Sequence, residues 1–180
     1  MTQTTIRIMP ENEGLRLIPA GHVNTLSELS MQHPLWIVML RHAGCLFCRL
    51  HLSQLGSEHA KITQRGDRLV IVSASSTEEM SPLLSRYSLR DALLVTDPAG
   101  LLYKYYALRR LELAGLKYGA RDLSAALKDL AIVRHGCSLQ PADLKQLHGV
   151  AVIYKSTLQS LRRAKYMSEP LNLTPICLDR

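Results

Sequence analysis

The sequence predicts an α/β fold in which a central mixed sheet is flanked by helices, and three observations carry that prediction. Leu35 to Leu40 is an unbroken apolar run with β-formers at its centre, short enough for a strand buried on both faces. Further short apolar runs at Leu69 to Val72, Ala92 to Thr96 and Gly149 to Tyr154 alternate with segments of helical spacing. Beyond the last of them, Ser160 to Met167 can serve as the second arm of a terminal β-hairpin.

Length and composition bound the function classes. At 180 residues and 47% hydrophobic content the chain makes one domain, 1–180, large enough to bury a core without disulfide staples. The formal charge is +7, but Lys and Arg are spread along the chain and no recognised nucleic-acid motif accompanies them. We read the charge as a solvated face, which makes nucleic acid an unlikely partner. The N-terminus lacks a charged segment followed by an apolar one, and no apolar stretch reaches membrane-spanning length, so the expectation is a cytoplasmic protein with no membrane association. Four cysteines are too few for a disulfide scaffold, and in a reducing compartment a C-x-x-C pair points to redox chemistry or metal binding.

Taken in order, Thr4 to Met9 and Leu15 to Ile18 read as short strands around a Pro10 to Gly14 turn, and Thr25 to Met31 as a short helix; together 1–34 form an N-terminal extension closed by Pro34. The strand at Leu35 to Leu40 leads through Arg41-His42-Ala43-Gly44 to Cys45 and Cys48. From Cys48 the apolar positions Leu52, Leu55 and Ile62 recur at helical spacing. Arg65-Gly66-Asp67 ends that helix, and Leu69 to Val72 completes a β-α-β unit, whose parallel pairing needs a right-handed crossover. Ser76 or Thr77 caps the next helix, with acids in its first turn, and it runs to about Tyr87. After the third strand, Asp97-Pro98-Ala99-Gly100 marks a turn and Leu101 to Tyr106 a short helix. Residues 109–147 read as an insertion, helical to about His135 and then a polar loop. The tail after Glu169-Pro170 shows no clear pattern.

The chemistry concentrates where the first core strand turns into a helix. A helix start presents unsatisfied N–H groups and the positive end of its dipole, both of which favour a thiolate. Cys45 is therefore the expected low-pKa sulfur, and Cys48, about one turn on, lies near enough to close a disulfide with it. Arg41, His42 and Arg49 add positive charge, and no carboxylate lies within ten residues of Cys45. Open α/β sheets place their sites at this end of the strands.

These features resemble the thioredoxin fold and, within it, the peroxiredoxin-like branch of the alkyl hydroperoxide reductase and thiol-specific antioxidant superfamily. The resemblance rests on Arg41 to Arg49 after the apolar strand, on Leu93 to Tyr103, and on His148 to Ile153, and covers about Leu35 to Tyr154 without the insertion. It implies a thiol-dependent oxidoreductase, an antioxidant peroxide or disulfide reductase, with a redox-active Cys45 and Cys48 pair. By the thioredoxin pattern Cys45 attacks and Cys48 resolves. The peroxiredoxin pattern would make Cys48 peroxidatic, with Cys45 in the place of a threonine. Helix-start geometry favours Cys45.

The chain departs from those patterns at three places. Met39 stands where thioredoxins carry a buried acid that takes up the second thiol's proton, which leaves His42 as the nearest acceptor. His148 stands before the last core strand, where thioredoxins have a cis-proline and peroxiredoxins an arginine, and is a candidate donor to a peroxide oxygen or a thiolate. Leu46 and Phe47 separate the cysteines in place of Gly-Pro, so redox poise does not transfer.

Other readings compete at each of these residues. His42, Cys45, Cys48 and His51 recur every third position, but His51 lies about 9 Å further along a helix than Cys45, too far for all four to share one ion. His51 reads as a surface helix residue, Phe47 as a core residue, and Tyr103, Tyr105 and Tyr106 as packing. Cys137 is a candidate second resolving thiol or a free or buried cysteine, and Cys177 a tail residue. The candidate catalytic set is Cys45, Cys48, His42, Arg41 and His148, with no bound cofactor and no metal. The expected partners are a peroxide or disulfide and a cellular dithiol such as thioredoxin or glutathione, met by a monomer or homodimer. The alternative is a non-enzymatic module that holds a metal or iron–sulfur cluster through the same cysteines.

Overall fold

The structure, a computed structural model, describes residues 25–110 and 145–174. The two leader strands, most of the 109–147 insertion, Cys137 and Cys177 lie outside those residues. In chain order the elements are α1 (Leu26–Gln32), β1 (Leu35–Met39), α2 (Leu46–Gln64), β2 (Arg68–Ser73), α3 (Thr77–Arg86), β3 (Leu93–Thr96), α4 (Leu101–Tyr105), β4 (Gly149–Tyr154) and β5 (Thr157–Arg163).

Five strands form one mixed sheet in the order β3-β2-β1-β4-β5. The two β-α-β units give parallel pairs, β1 with β2 and β2 with β3, while β4 runs antiparallel to β1 and β5 antiparallel to β4. β1 is central and buried along its whole length, which is why its sequence is apolar without alternation. Its side chains still alternate between two cores. Trp36, Val38 and Leu40 pack with Leu52, Leu55 and Ile62 of α2 and with α3, whereas Leu35, Ile37 and Met39 pack with α1, α4 and the other face of β2.

Local chemistry explains the boundaries. Thr25 and Ser76 cap α1 and α3 as reciprocal capping boxes with Glu28 and Glu79. Asp67, buried just before β2, accepts from the Trp36 indole at 3.0 Å and lies 3.3 Å from Arg65 Nε, which ties the turn after α2 to the central strand. Gly56 lets the end of α3 approach α2, because a Cβ there would collide with the Tyr87 carbonyl oxygen.

Two sequence expectations are corrected. The second hairpin arm is Thr157–Arg163, three residues earlier than Ser160 to Met167, because a two-residue turn at Lys155-Ser156 joins the strands directly. Both turn residues have positive φ, 49° and 55°, the geometry that matches strand twist in a tight hairpin but normally calls for Asn-Gly. Here α1 offsets the strain: Lys155 N–H donates to the Ser30 carbonyl at 2.8 Å and Ser156 N–H to Ser30 Oγ at 3.1 Å. The tail also has a definite course. Leu171 is buried in the α2 core, with its N–H and C=O both held by the Gln54 side chain, and Arg162 donates to the carbonyls of Asn172 and Thr174. The 164–174 segment is thereby strapped across α2.

Candidate active site

The polypeptide leaving β1 enters a tight turn before α2. Leu40 N–H and Arg41 C=O still pair with Val72 and Ala74, and Tyr103 donates its phenolic proton to the Leu40 carbonyl, so the end of the strand is held from both sides. Cys45 N–H then donates to the His42 carbonyl at 3.1 Å, and Ala43 is fixed by Ser75 Oγ on its N–H and by Arg49 Nε on its carbonyl. The turn delivers Cys45 to the N-cap of α2, the place expected from the sequence.

As cap, Cys45 Sγ accepts from Cys48 N–H at 3.4 Å and from Arg41 Nη1 at 3.6 Å. Its pKa falls to about 6: the Cys48 thiol donates to it, burial opposes the shift, and the Arg41 charge and the N–H groups of Cys48 and Phe47 add to it. Cys48 behaves oppositely. Burial pushes its thiol well above the usual range, and the Cys45 sulfur beside it adds to the rise, although the Arg41 N–H reaches Cys48 Sγ at 3.3 Å. The two free thiols, at adjacent turns, thus have pKa values driven in opposite directions.

Both sulfurs are buried, Cys45 at 6% and Cys48 at 4% exposure. The chamber that holds them is lined by Arg41, Phe47, His51, His148 and Met167, and leaves no room for a water-sized molecule. Its roof is the strapped tail: Met167 Sδ accepts from Arg41 Nη1 at 3.0 Å, and the Glu169 carbonyl lies 3.0 Å from His51 Nε2.

Histidine placement differs from the sequence reading. His51 is buried, at 4% exposure, and its ring centroid lies 4.1 Å from that of His148. Burial lowers His51 to about 4, and burial with the His51 and Arg41 charges lowers His148 to about 2, so both imidazoles are neutral at pH 7. His148 lines the chamber, and His51 joins it because the tail covers that face of α2. His42 is buried but lines a separate cavity on the other side of Arg41. Phe47 is half-buried beside the chamber, while Tyr103 and Tyr106 are core residues. Met167, which roofs the site, had no motif to announce it. Among the described residues no peptide bond is cis and no group of three or more His, Cys, Asp or Glu side chains is placed to hold a metal. No helix among them is long and apolar enough to cross a membrane.

No family model matches the chain, and no curated protein matches it in sequence. Solved structures do match in fold. Reduced Prx3 of Vibrio vulnificus in complex with hydrogen peroxide superposes with a TM-score of 0.55 at 13% identity, over 82% of this chain and 80% of that one. Peroxiredoxin Q of Xanthomonas campestris gives 0.56 at 14% identity, over 84% and 82% of the two chains. Peroxiredoxin 6 of Arenicola marina gives 0.57 at 8% identity, over 83% of this chain and 60% of that one. The fold is therefore the thioredoxin-like fold in the form that peroxiredoxins share, with a mixed five-stranded sheet flanked by helices.

Proposed function

We propose that the protein is a peroxiredoxin-like thiol oxidoreductase that reduces a small hydroperoxide, with Cys45 as the attacking sulfur and Cys48 as the resolving one. The observation that carries this reading is Cys45 at the N-cap of α2, its sulfur held by the Cys48 N–H and the Arg41 guanidinium and its pKa lowered to about 6. At pH 7 the Cys45 thiolate attacks one peroxide oxygen, the O–O bond breaks, and Cys45 becomes a sulfenic acid while the other oxygen leaves as hydroxide or alkoxide, protonated by water. Arg41 faces the negative charge that passes from sulfur to the leaving oxygen.

Resolution follows from the same electrostatics. Cys48 is held as a thiol partly by the neighbouring Cys45 thiolate, and that repulsion ends once Cys45 is a neutral sulfenic acid. Cys48 then attacks the Cys45 sulfur, the sulfenic oxygen leaves as water with the Cys48 proton, and a Cys45–Cys48 disulfide forms. A cellular dithiol such as thioredoxin, or two molecules of glutathione that leave as glutathione disulfide, returns the pair to thiols in the cytoplasm. No separate base is required for this resolution, which accommodates the buried Met39 at the position where thioredoxins carry an acid. His148 and His51 supply neutral imidazoles on the chamber wall. The closed chamber has no free volume even for hydrogen peroxide, so every oxidant needs the tail to lift, and a small peroxide needs far less movement than a protein disulfide.

Rapid mixing of the reduced protein with hydrogen peroxide tests the proposal. Thiol loss much faster than that of free cysteine at the same pH, ending in an intramolecular disulfide, is expected. Oxidation no faster than free cysteine overturns the peroxidase reading.

A further inference from the structure

A second hollow lies beside the chamber, separated from it by Arg41. It is a cavity of about 570 Å³ at the carboxyl ends of β1, β2 and β3, where Arg41 and His42 follow the first strand, Ser75 the second and Asp97 the third. That volume suits a small-molecule ligand, and this end of an open α/β sheet is where ligands bind.

Its charges are unevenly engaged. The acids are Asp97 and Glu79. Asp97, at 1% exposure, accepts from Leu101 N–H and Leu102 N–H, both at 2.8 Å, so its two oxygens are occupied by the first turn of α4. Glu79 accepts from Ser76 N–H at 3.1 Å as the far half of a capping box. The cations are Arg41, Lys104 and Arg110. Lys104 forms no ion pair among the described residues. Arg41 is 7% exposed and spends Nη1 on two sulfurs, while its buried Nε has no hydrogen-bond partner among those residues. A buried guanidinium N–H without an acceptor is costly, and because Nε itself has no accessible surface, an oxyanion in the adjoining cavity would relieve it by drawing the guanidinium toward the cavity. Pro98 and Leu108 give the same cavity an apolar wall for the body of such a ligand.

We propose that this cavity binds a small multiply charged oxyanion, carrying carboxylate or phosphate groups, through Lys104 and Arg41, and that its occupancy is felt at Cys45 because Arg41 serves both. An anion that draws the guanidinium toward the cavity weakens its support of the Cys45 thiolate, so the bound ligand slows the thiol. The binding half stands without the redox reading; the coupling half rests on it.

The experiment uses the reduced full-length chain with inorganic phosphate in one arm and citrate in another, each against sodium chloride at matched ionic strength. Calorimetry is expected to show saturable binding of one anion per chain, and the preferred arm distinguishes phosphate from carboxylate chemistry. Binding should weaken at least about fivefold in Lys104→Ala and further in Lys104→Glu; Lys104 is exposed, so both variants should keep the circular dichroism of the parent. Cys45→Ser should still bind. At saturating anion, alkylation of Cys45 at pH 6 should slow at least about twofold, and this slowing should vanish in Lys104→Glu. Binding no better than the chloride control, or undiminished in both Lys104 variants, overturns the site. Binding intact with the alkylation rate unchanged overturns the coupling. A protein inert to peroxide that nonetheless binds the anion would count against the proposed reaction and leave the site standing.

Discussion

Arg41 donates to the Met167 sulfur at 3.0 Å, and that contact joins the turn carrying Cys45 to the C-terminal segment that covers it. The segment's other ties are the Gln54 clasp on Leu171 and the approach of His51 to the Glu169 carbonyl. Access to Cys45 thus depends on how far this roof can lift.

Met167→Ala removes the roof contact while leaving the clasp at Gln54. A hydrogen bond from a charged donor to a weak sulfur acceptor contributes about 1 kcal/mol, so the open population should rise about fivefold. Thiol–disulfide exchange of Cys45 with a bulky aromatic disulfide, which forms a mixed disulfide and releases an aryl thiolate, should accelerate by that factor, while reaction with hydrogen peroxide changes less than twofold. Equal acceleration by both reagents would mean that Met167 does not select by size.

The Cys45 thiolate should titrate with a midpoint near pH 6. Its pKa is depressed, so the reactive form is present above the midpoint and lost as pH falls through it. Arg41→Gln deletes an opposite charge beside the sulfur and should raise the midpoint by about one unit. Alkylation should then slow about tenfold at pH 5 and hardly change at pH 9. Absorbance of the thiolate in the ultraviolet, followed against pH, checks both values, and an unmoved midpoint would remove Arg41 from the site's electrostatics.

Much of this was legible in the sequence. The apolar run at Leu35 to Leu40, the helical spacing from Cys48 and the C-x-x-C between them give the sheet, α2 and the thiol pair, because each depends on local pattern and neighbouring backbone. What was not legible depends on distant residues. The hairpin turn at Lys155-Ser156 carries no turn signal of its own and is held by Ser30 of α1. His51 looks like a surface residue until the tail is laid over it, and Met167 reads as the end of a hairpin arm, Ser160 to Met167, that in fact stops at Arg163. Lys104 and Arg41 are far apart in the chain and meet only because the strand ends converge on one cavity.

Cys48→Ser separates the two chemical steps. Cys45 should still be oxidised by one equivalent of peroxide, but the chain then stops at the sulfenic acid, because no resolving thiol stands beside it among the described residues. Dimedone should label this variant at Cys45 and leave the parent protein unlabelled, with dithiol-dependent turnover reduced at least about a hundredfold. Labelling of the parent as heavily as the variant would place resolution elsewhere. Labelling at Cys48 in a Cys45→Ser variant would reverse the assignment of attacking and resolving sulfurs.

Acid should loosen the roof before it unfolds the sheet, because His51 is buried and neutral in the folded protein. Its pKa is lowered to about 4 chiefly by burial, against about 6.5 in an unfolded chain. The sign follows from proton counting. Between those values the unfolded state binds a proton that the folded state refuses, so stability is full above about pH 6.5 and is lost as pH falls toward 4. At pH 5 the loss from this one group is about 2 kcal/mol, and His148, lowered further by burial and by its neighbours, adds to it. His51→Gln can still donate to the Glu169 carbonyl but takes up no proton. Urea denaturation at pH 7 and pH 5 should therefore show a stability loss smaller by about 2 kcal/mol in the variant than in the parent, the carboxylates common to both cancelling in the difference. Hydrogen exchange at the backbone of 164–174 should rise on acidification in the parent and stay flat in His51→Gln. If the two proteins lose stability in parallel, His51 is already protonated or solvated in the native state, and the closed chamber described above does not exist in solution.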